Sequence, residues 1–223
     1  MVLRRHDGVV LLLGAPGAGK GTQARFLADA LGIPHVASGD LLREHRQLGT
    51  ELGRLAQTYM DRGDLVPDAV VIAIIADRLR KPDAAGGALL DGFPRTVAQA
   101  EALEAKLAEG GPSVRAAVYV EVPTQALVDR LAGRWICRGC QATFHDVFNP
   151  PTAAGMCDAC NGELYQRPDD QREVVANRIN VYLRDTLPVV DRYAAQGILQ
   201  RVDGNQPIEA VKAALREAVL VPA

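Results

Sequence analysis

The chain has 223 residues, with 25 Lys and Arg against 27 Asp and Glu and a formal net charge of -2. That balance gives no global attraction to nucleic acid or to an anionic membrane. With 48% hydrophobic and 23% charged residues, the chain is too apolar to be disordered and has the profile of a soluble globular protein. Aromatics make up only 4%, so the core must be mainly aliphatic. No segment approaches the roughly 20 apolar residues needed to span a bilayer. The apolar run after Arg4 and Arg5 is too short for a signal peptide. The expectation is a soluble, cytoplasmic protein with no membrane partner.

Val9–Leu13 reads as a buried parallel strand. It leads into Gly14-Ala15-Pro16-Gly17-Ala18-Gly19-Lys20, which fits G-x-x-x-x-G-K, and a helix follows to about Leu31. Strand, glycine loop and helix together form a phosphate cradle, with Lys20 as a mobile charge for β and γ phosphates. Gly21 stands where such loops usually carry Ser or Thr, and the hydroxyl comes one position later, at Thr22. His35–Ala37 reads as a short strand, with Ser38 and Asp40 offering caps for a helix through His45. Thr50–Asp61 has helical spacing, and Asp68 is a candidate cap for a helix over 69–79. Strands are expected over 87–91, 114–122 and 198–202. Helices are expected from Thr96, over 124–132, from Asp169 or Asp170 toward Tyr193 with Pro188 as a kink or start, and from Pro207. Apolar strands alternating with helices imply βαβ units and a parallel sheet.

The texture changes over 134–168, which is rich in proline and glycine and holds all four cysteines. Cys137-x2-Cys140 and Cys157-x2-Cys160 stand 16 residues apart. Two such pairs suit a closed tetrahedral thiolate site and therefore a structural metal, with zinc favoured and iron the alternative. A module this small buries little core, so the metal supplies its folding energy. His145 is expected to make a local hydrogen bond and Trp135 to pack.

Gly14–Gln23, read as GAPGAGKGTQ, closely resembles the opening of adenylate kinases. The resemblance continues through Ser38-Gly39-Asp40, Leu42-Arg43, Leu65-Val66-Pro67-Asp68 and Asp91-Gly92-Phe93-Pro94-Arg95-Thr96 with Gln99. Gly133-Arg134, Arg167-Pro168-Asp169-Asp170, Arg178 and Val202-Asp203-Gly204 complete an ordered series over essentially the whole chain. It implies an α/β fold of the P-loop nucleoside monophosphate kinase type and reversible transfer from MgATP to AMP, giving two ADP. The implied division is core over 1–36, 67–128 and 167–223, a helical AMP-binding segment over 37–66 and a zinc-stabilised lid over 129–166.

The same resemblance assigns residues. Arg43 and Arg95 would grip the AMP phosphate, Arg130 and Arg134 would lie on the ATP side, and Arg167 and Arg178 would bridge toward the transferring group. Asp91, beside Gly92, would organise magnesium through water with Asp40 assisting. Asp169 and Asp170 would pair lid with core. Ser38, Val66 and Gln99 would surround the AMP adenine, Phe144 would cover the ATP base, and Gln206 joins the nucleotide-binding set. Planar, always-charged guanidinium forks suit such work because the reaction needs charge neutralisation and alignment. A monomer with ATP, AMP and ADP as partners is expected, with no stable nucleic-acid partner. Two other readings stay open: a monophosphate kinase of different base preference, including GTP:AMP transfer, and a zinc-ribbon nucleic-acid-binding protein.

Overall fold

The computed structural model describes residues 8–110 and 113–220. Arg4 and Arg5 lie outside the described residues. The core is a five-stranded parallel sheet of β1 (Val9–Gly14), β2 (His35–Ala37), β3 (Leu89–Asp91), β4 (Val114–Glu121) and β8 (Leu199–Asp203), in the order β2-β3-β1-β4-β8. Every residue of β1 is buried, as its unbroken apolar run requires. The chain leaves β1 toward β2 and β3 on one side and later enters β4 on the other. The strand order therefore reverses at the carboxyl end of β1, where open α/β sheets place their ligand crevice.

Helices cover both faces: α1 (Lys20–Leu31), α4 (Asp68–Leu79), α5 (Val97–Ala108), α6 (Thr124–Ala132), α7 (Arg172–Val181), α8 (Leu187–Ala195) and α9 (Ile208–Leu220). α2 (Ser38–Gln47) and α3 (Glu51–Met60) form a helical pair between β2 and α4. Thr50 caps α3, accepting from the Gly53 N–H at 3.0 Å. The two helices approach so closely that a Cβ at Gly53 would lie 2.2 Å from the His45 carbonyl oxygen.

Three capping expectations are corrected. Ala37 precedes α2, and the Ser38 hydroxyl donates instead to the Gly92 carbonyl at 2.6 Å. Asp40 lies within the first turn of α2 and pairs with Arg43. Asp68 is the first residue of α4, not its cap, and its carboxylate reaches across to α5. Thr96 does cap α5, accepting from the Gln99 N–H at 3.1 Å.

The inserted module is mostly irregular around a small antiparallel sheet of β5 (Arg134–Cys137), β6 (Thr143–His145) and β7 (Leu164–Tyr165), in the order β6-β5-β7. Its own core is small: Cys137, Phe144, Cys157 and Leu164, with Trp135 packed against them. After it, a 3-10 turn (Pro168–Asp170) leads into α7, and a π turn (Tyr182–Thr186) separates α7 from α8. Pro188 sits in the first turn of α8, so it marks a helix start. Among the described residues, no helix is long and apolar enough to cross a membrane.

Candidate active site

A cleft of about 430 Å³ opens at the carboxyl edge of the sheet. Its floor is the glycine loop between β1 and α1. Gly17 and Gly19 hold φ values of 84° and 88°, a left-handed backbone that favours glycine. No acidic residue occupies the first turn of α1, so its free N–H groups and dipole face the cleft unopposed. Lys20 Nζ donates to the Gly14 and Ala15 carbonyls at 2.8 and 2.9 Å. Burial, reinforced by Arg95, Arg134 and Arg178 and opposed by Asp91, lowers its pKa to about 8. Pro16, Ala18, Gly21 and Thr22 border the same space.

Opposite the loop stand the arginines. Arg95 is held by its own segment: Nε donates to the Gly92 carbonyl at 2.7 Å, and its N–H donates to Gln99 Oε1 at 2.8 Å. The Thr186 hydroxyl caps its carbonyl at 2.9 Å. Burial, then Arg178 nearby, lowers the Arg95 pKa to about 10. Arg43 pairs with Asp40 at 2.5 Å, and Arg167 lies 3.9 Å from the same carboxylate. Arg167 is likewise lowered to about 10 by burial and by Arg43, and its Nε is buried without a hydrogen-bond partner among the described residues. Cations crowded this tightly, with fewer carboxylates than they could use, make a site that a polyanion would satisfy.

Arg134 comes from the inserted module and Arg178 from α7, yet both meet the buried Asp170. Arg134 Nε donates to Asp170 Oδ2 at 2.8 Å, its Nη2 donates to Oδ1, and Arg178 Nη1 donates to Oδ1 at 2.8 Å. Burial works against the Arg134 charge, but Asp170 outweighs it and holds the pKa above its usual value. Burial likewise pushes the Asp169 carboxyl up, but Arg178 and Arg134 bring it below the usual range. Arg130 reaches out of α6 to the Gly204 carbonyl at 3.0 Å and to Asn205 Oδ1 at 3.2 Å. Beside them, Gln206 donates to Asp203 at 2.8 Å.

The four cysteines converge, with all Sγ atoms within 4.8 Å of one another. Cys137–Cys160 and Cys140–Cys157 are the close pairs, at 3.4 and 3.5 Å. A zinc–sulfur bond of about 2.3 Å implies sulfur–sulfur edges of about 3.8 Å in a tetrahedron, so the cluster fits. Each C-x2-C loop closes alike: the Gln141 N–H donates to the Cys137 carbonyl and the Asn161 N–H to that of Cys157, with φ near 60° at both Gln141 and Asn161. At Gly162 a Cβ would lie 2.9 Å from Cys137 Sγ. Arg25 of α1 donates to the Cys140 carbonyl at 3.2 Å, tying the P-loop helix to this cluster.

Comparison with known proteins agrees with this geometry. The adenylate kinase family model matches residues 12–198. The chain belongs to the adenylate kinase family. It is similar to adenylate kinases of Carboxydothermus hydrogenoformans (50% identical, covering 94% of this chain and 98% of that protein), Geobacillus sp. strain WCH70 (52%, 93% and 96%) and Methanocella arvoryzae (48%, 94% and 97%).

In this member of the family, the cleft gathers every sequence-expected nucleotide residue except Ala15, which is buried behind the loop and offers its carbonyl to Lys20. Ser38, Val66, Gly92 and Gln99 form one corner of it. Phe144 borders the cleft, but strand pairing sets it opposite Trp135 and packs it in the module's core. Phe148, which the sequence reading missed, is exposed, lies with its ring centroid 5.7 Å from the Arg130 guanidinium and packs at a tilt of 42° against the His145 ring. His145 makes its local bonds, with Nδ1 accepting from the Val147 and Phe148 N–H groups. Trp135 Nε1 donates to Asp146.

His35 was also missed. Its strand pairs His35 with Leu89, and Asp91 lies two residues on, on the same face, so the imidazole reaches Asp91 Oδ2 at 3.3 Å. Burial pushes the Asp91 carboxyl up, yet the His35 hydrogen bond and Lys20 outweigh it and hold it below the usual value. Register of this kind is invisible in a sequence, because both strands are three residues long.

Proposed function

We propose that the chain moves the terminal phosphoryl group of ATP to AMP and back, with two ADP as the product, and that the residues above divide the work as follows. The glycine loop and Lys20 hold the ATP phosphates. Arg43 and Arg95 hold the AMP phosphate. Arg134, Arg167 and Arg178 close on the group in transit, where charge spreads over the equatorial oxygens. Supporting this reading most directly is the placement of two cationic surfaces, one on the P-loop and one on Arg43 and Arg95, around a single cleft that arginines from three further segments also line. Proximity of that kind turns a bimolecular encounter into one pre-aligned step.

Segment 37–66 is read as the AMP-binding part, 129–166 as the lid, and 1–36, 67–128 and 167–223 as core. Lid closure brings Arg130 and Phe148 over the ATP base and excludes water, whose attack on ATP is the competing reaction. Magnesium, when bound with ATP, neutralises phosphate charge; Asp91, with Asp40 assisting, would hold its water shell. Zinc on Cys137, Cys140, Cys157 and Cys160 would fix the lid's shape and leaves no open position for chemistry. With both substrates held in one cleft of one chain, a monomer would suffice.

The test is product formation from MgATP with AMP, GMP, UMP or CMP, and with no acceptor. Fast ADP formation with AMP alone is expected. Fast transfer to another monophosphate would rename the substrate, and no transfer by folded, metal-loaded protein would overturn the reading.

A further inference from the structure

Gln99 is 1% exposed, borders the cleft beside Ser38 and Val66, and is tied at both ends of its side-chain amide. Oε1 accepts the Arg95 N–H at 2.8 Å, and Nε2 donates to Asp68 Oδ1 at 2.7 Å. The second oxygen of Asp68 accepts from the Thr96 hydroxyl at 2.9 Å. That hydroxyl itself accepts the Gln99 backbone N–H at 3.1 Å, so its one proton is directed at Asp68. Asp68 is thereby fixed in place as a pure acceptor.

An amide has two orientations of nearly equal shape, with oxygen and nitrogen exchanged. Turning Gln99 over would set its oxygen against the Asp68 carboxylate and its NH2 against the Arg95 N–H. Both contacts would repel, and both groups would be buried without partners. One orientation survives. It leaves one lone pair on Oε1 and one proton on Nε2 for a ligand. The edge of adenine offers N6–H as donor and N1 as acceptor, which this amide matches. A 6-oxopurine offers the reverse, O6 as acceptor and N1–H as donor, and would need the amide turned over.

We propose that Asp68 is a specificity-determining positioning residue: by locking the Gln99 amide, it makes the acceptor site select adenine against 6-oxopurines. The inference rests on the reading that Gln99 meets the acceptor base. Selection of this sort works by denying the wrong ligand a partner more than by adding a contact for the right one.

The experiment measures kcat/KM for AMP and for IMP, which differs from AMP only at the 6-position and N1, in wild type, Asp68→Asn and Gln99→Leu. An asparagine can turn its own amide to suit either Gln99 orientation, so only the Arg95 N–H still resists the flip. Expected for Asp68→Asn is a fall in the AMP-to-IMP ratio of about tenfold, the worth of one good hydrogen bond, with the KM for ATP unchanged. A purely structural role would lower both substrates by the same factor and leave the ratio where it was, which overturns the lock. Gln99→Leu separates the two claims. A wild-type ratio in that variant removes the base-reading role itself, whereas a collapsed ratio there with an intact ratio in Asp68→Asn removes only the lock. If Asp68→Asn does not fold, as judged by urea melting, Asp68→Ser takes its place with the same two outcomes.

Discussion

Arg134 and Asp170 meet side on, Nε to Oδ2 at 2.8 Å, and the Asp170 side chain has no exposure at all. The guanidinium belongs to the inserted module and the carboxylate to the turn before α7, so the pair joins two parts of the molecule. Removing the carboxylate takes from the half-buried Arg134 its carboxylate partner, while Arg178 keeps Asp169 at 3.1 Å. Asp170→Ala is expected to cost about 3 kcal/mol of stability, the usual penalty for breaking a buried pair from one side, and at least tenfold in turnover. Urea unfolding and single-substrate kinetics check this. Glu163→Ala, which breaks the exposed Arg138 pair at 3.1 Å, is the contrast and should cost under about 0.5 kcal/mol.

Lys20 supplies the pH dependence. Its ammonium form binds phosphate, and its pKa of about 8 means the free enzyme sheds that charge as pH rises through 8. The kcat/KM for ATP should fall above about pH 8, whereas kcat, which reports the enzyme with triphosphate bound beside the ammonium, should hold to higher pH. The stability sign is opposite: an unfolded lysine keeps its proton to 10.5, so stability rises with pH between about 8 and 10.5. A kcat/KM profile flat to pH 10 would remove Lys20 from the role. Lys20→Ala should retain the fold and lose transfer by at least about a hundredfold, the scale of one lost charge-stabilising donor.

The two lid phenylalanines should separate cleanly. Phe148→Ala removes an exposed ring beside Arg130 and is expected to raise the KM for ATP by about tenfold, the range of one lost base–aromatic stack, with little change in melting. Phe144→Ala removes a buried ring from a very small core and should destabilise the lid by about 3 kcal/mol. Equal effects of both on ATP would refute the assignment of Phe148 to the base.

Metal content is the fourth prediction. One zinc per chain is expected by elemental analysis. Chelation, or Cys157→Ser, should melt the lid below the core transition and raise the KM for ATP more than that for AMP. Unchanged melting after complete metal removal would refute a structural ion.

Much of this molecule was legible from spacing. The apolar β1 run, the glycine loop and the cysteine pairs are local signals, and each maps to one element. What stayed hidden is long-range. Asp68, Ser38 and Asp40 all sit where helix caps sit in a sequence, yet Asp68 answers to α5, Ser38 to the Gly92 carbonyl and Asp40 to Arg43. Phe144 and Phe148 are equivalent aromatics on paper. Only the pairing of β6 with β5 turns one inward and leaves the other at the cleft. His35 needed the β2–β3 register.

The π turn over Tyr182–Thr186 carries one residue more than a regular helix would use, and that surplus aims the Thr186 hydroxyl at the Arg95 carbonyl. Deleting a single residue there would remove the wide turn but set Pro188, which has no N–H, inside a continuous helix. It would also rotate everything beyond it by about 100° and draw it back about 1.5 Å, turning Val189, Val190 and Tyr193 out of the core they fill. Chain length is thus tightly constrained in this short stretch: a deletion that regularises the turn would misassemble the enzyme.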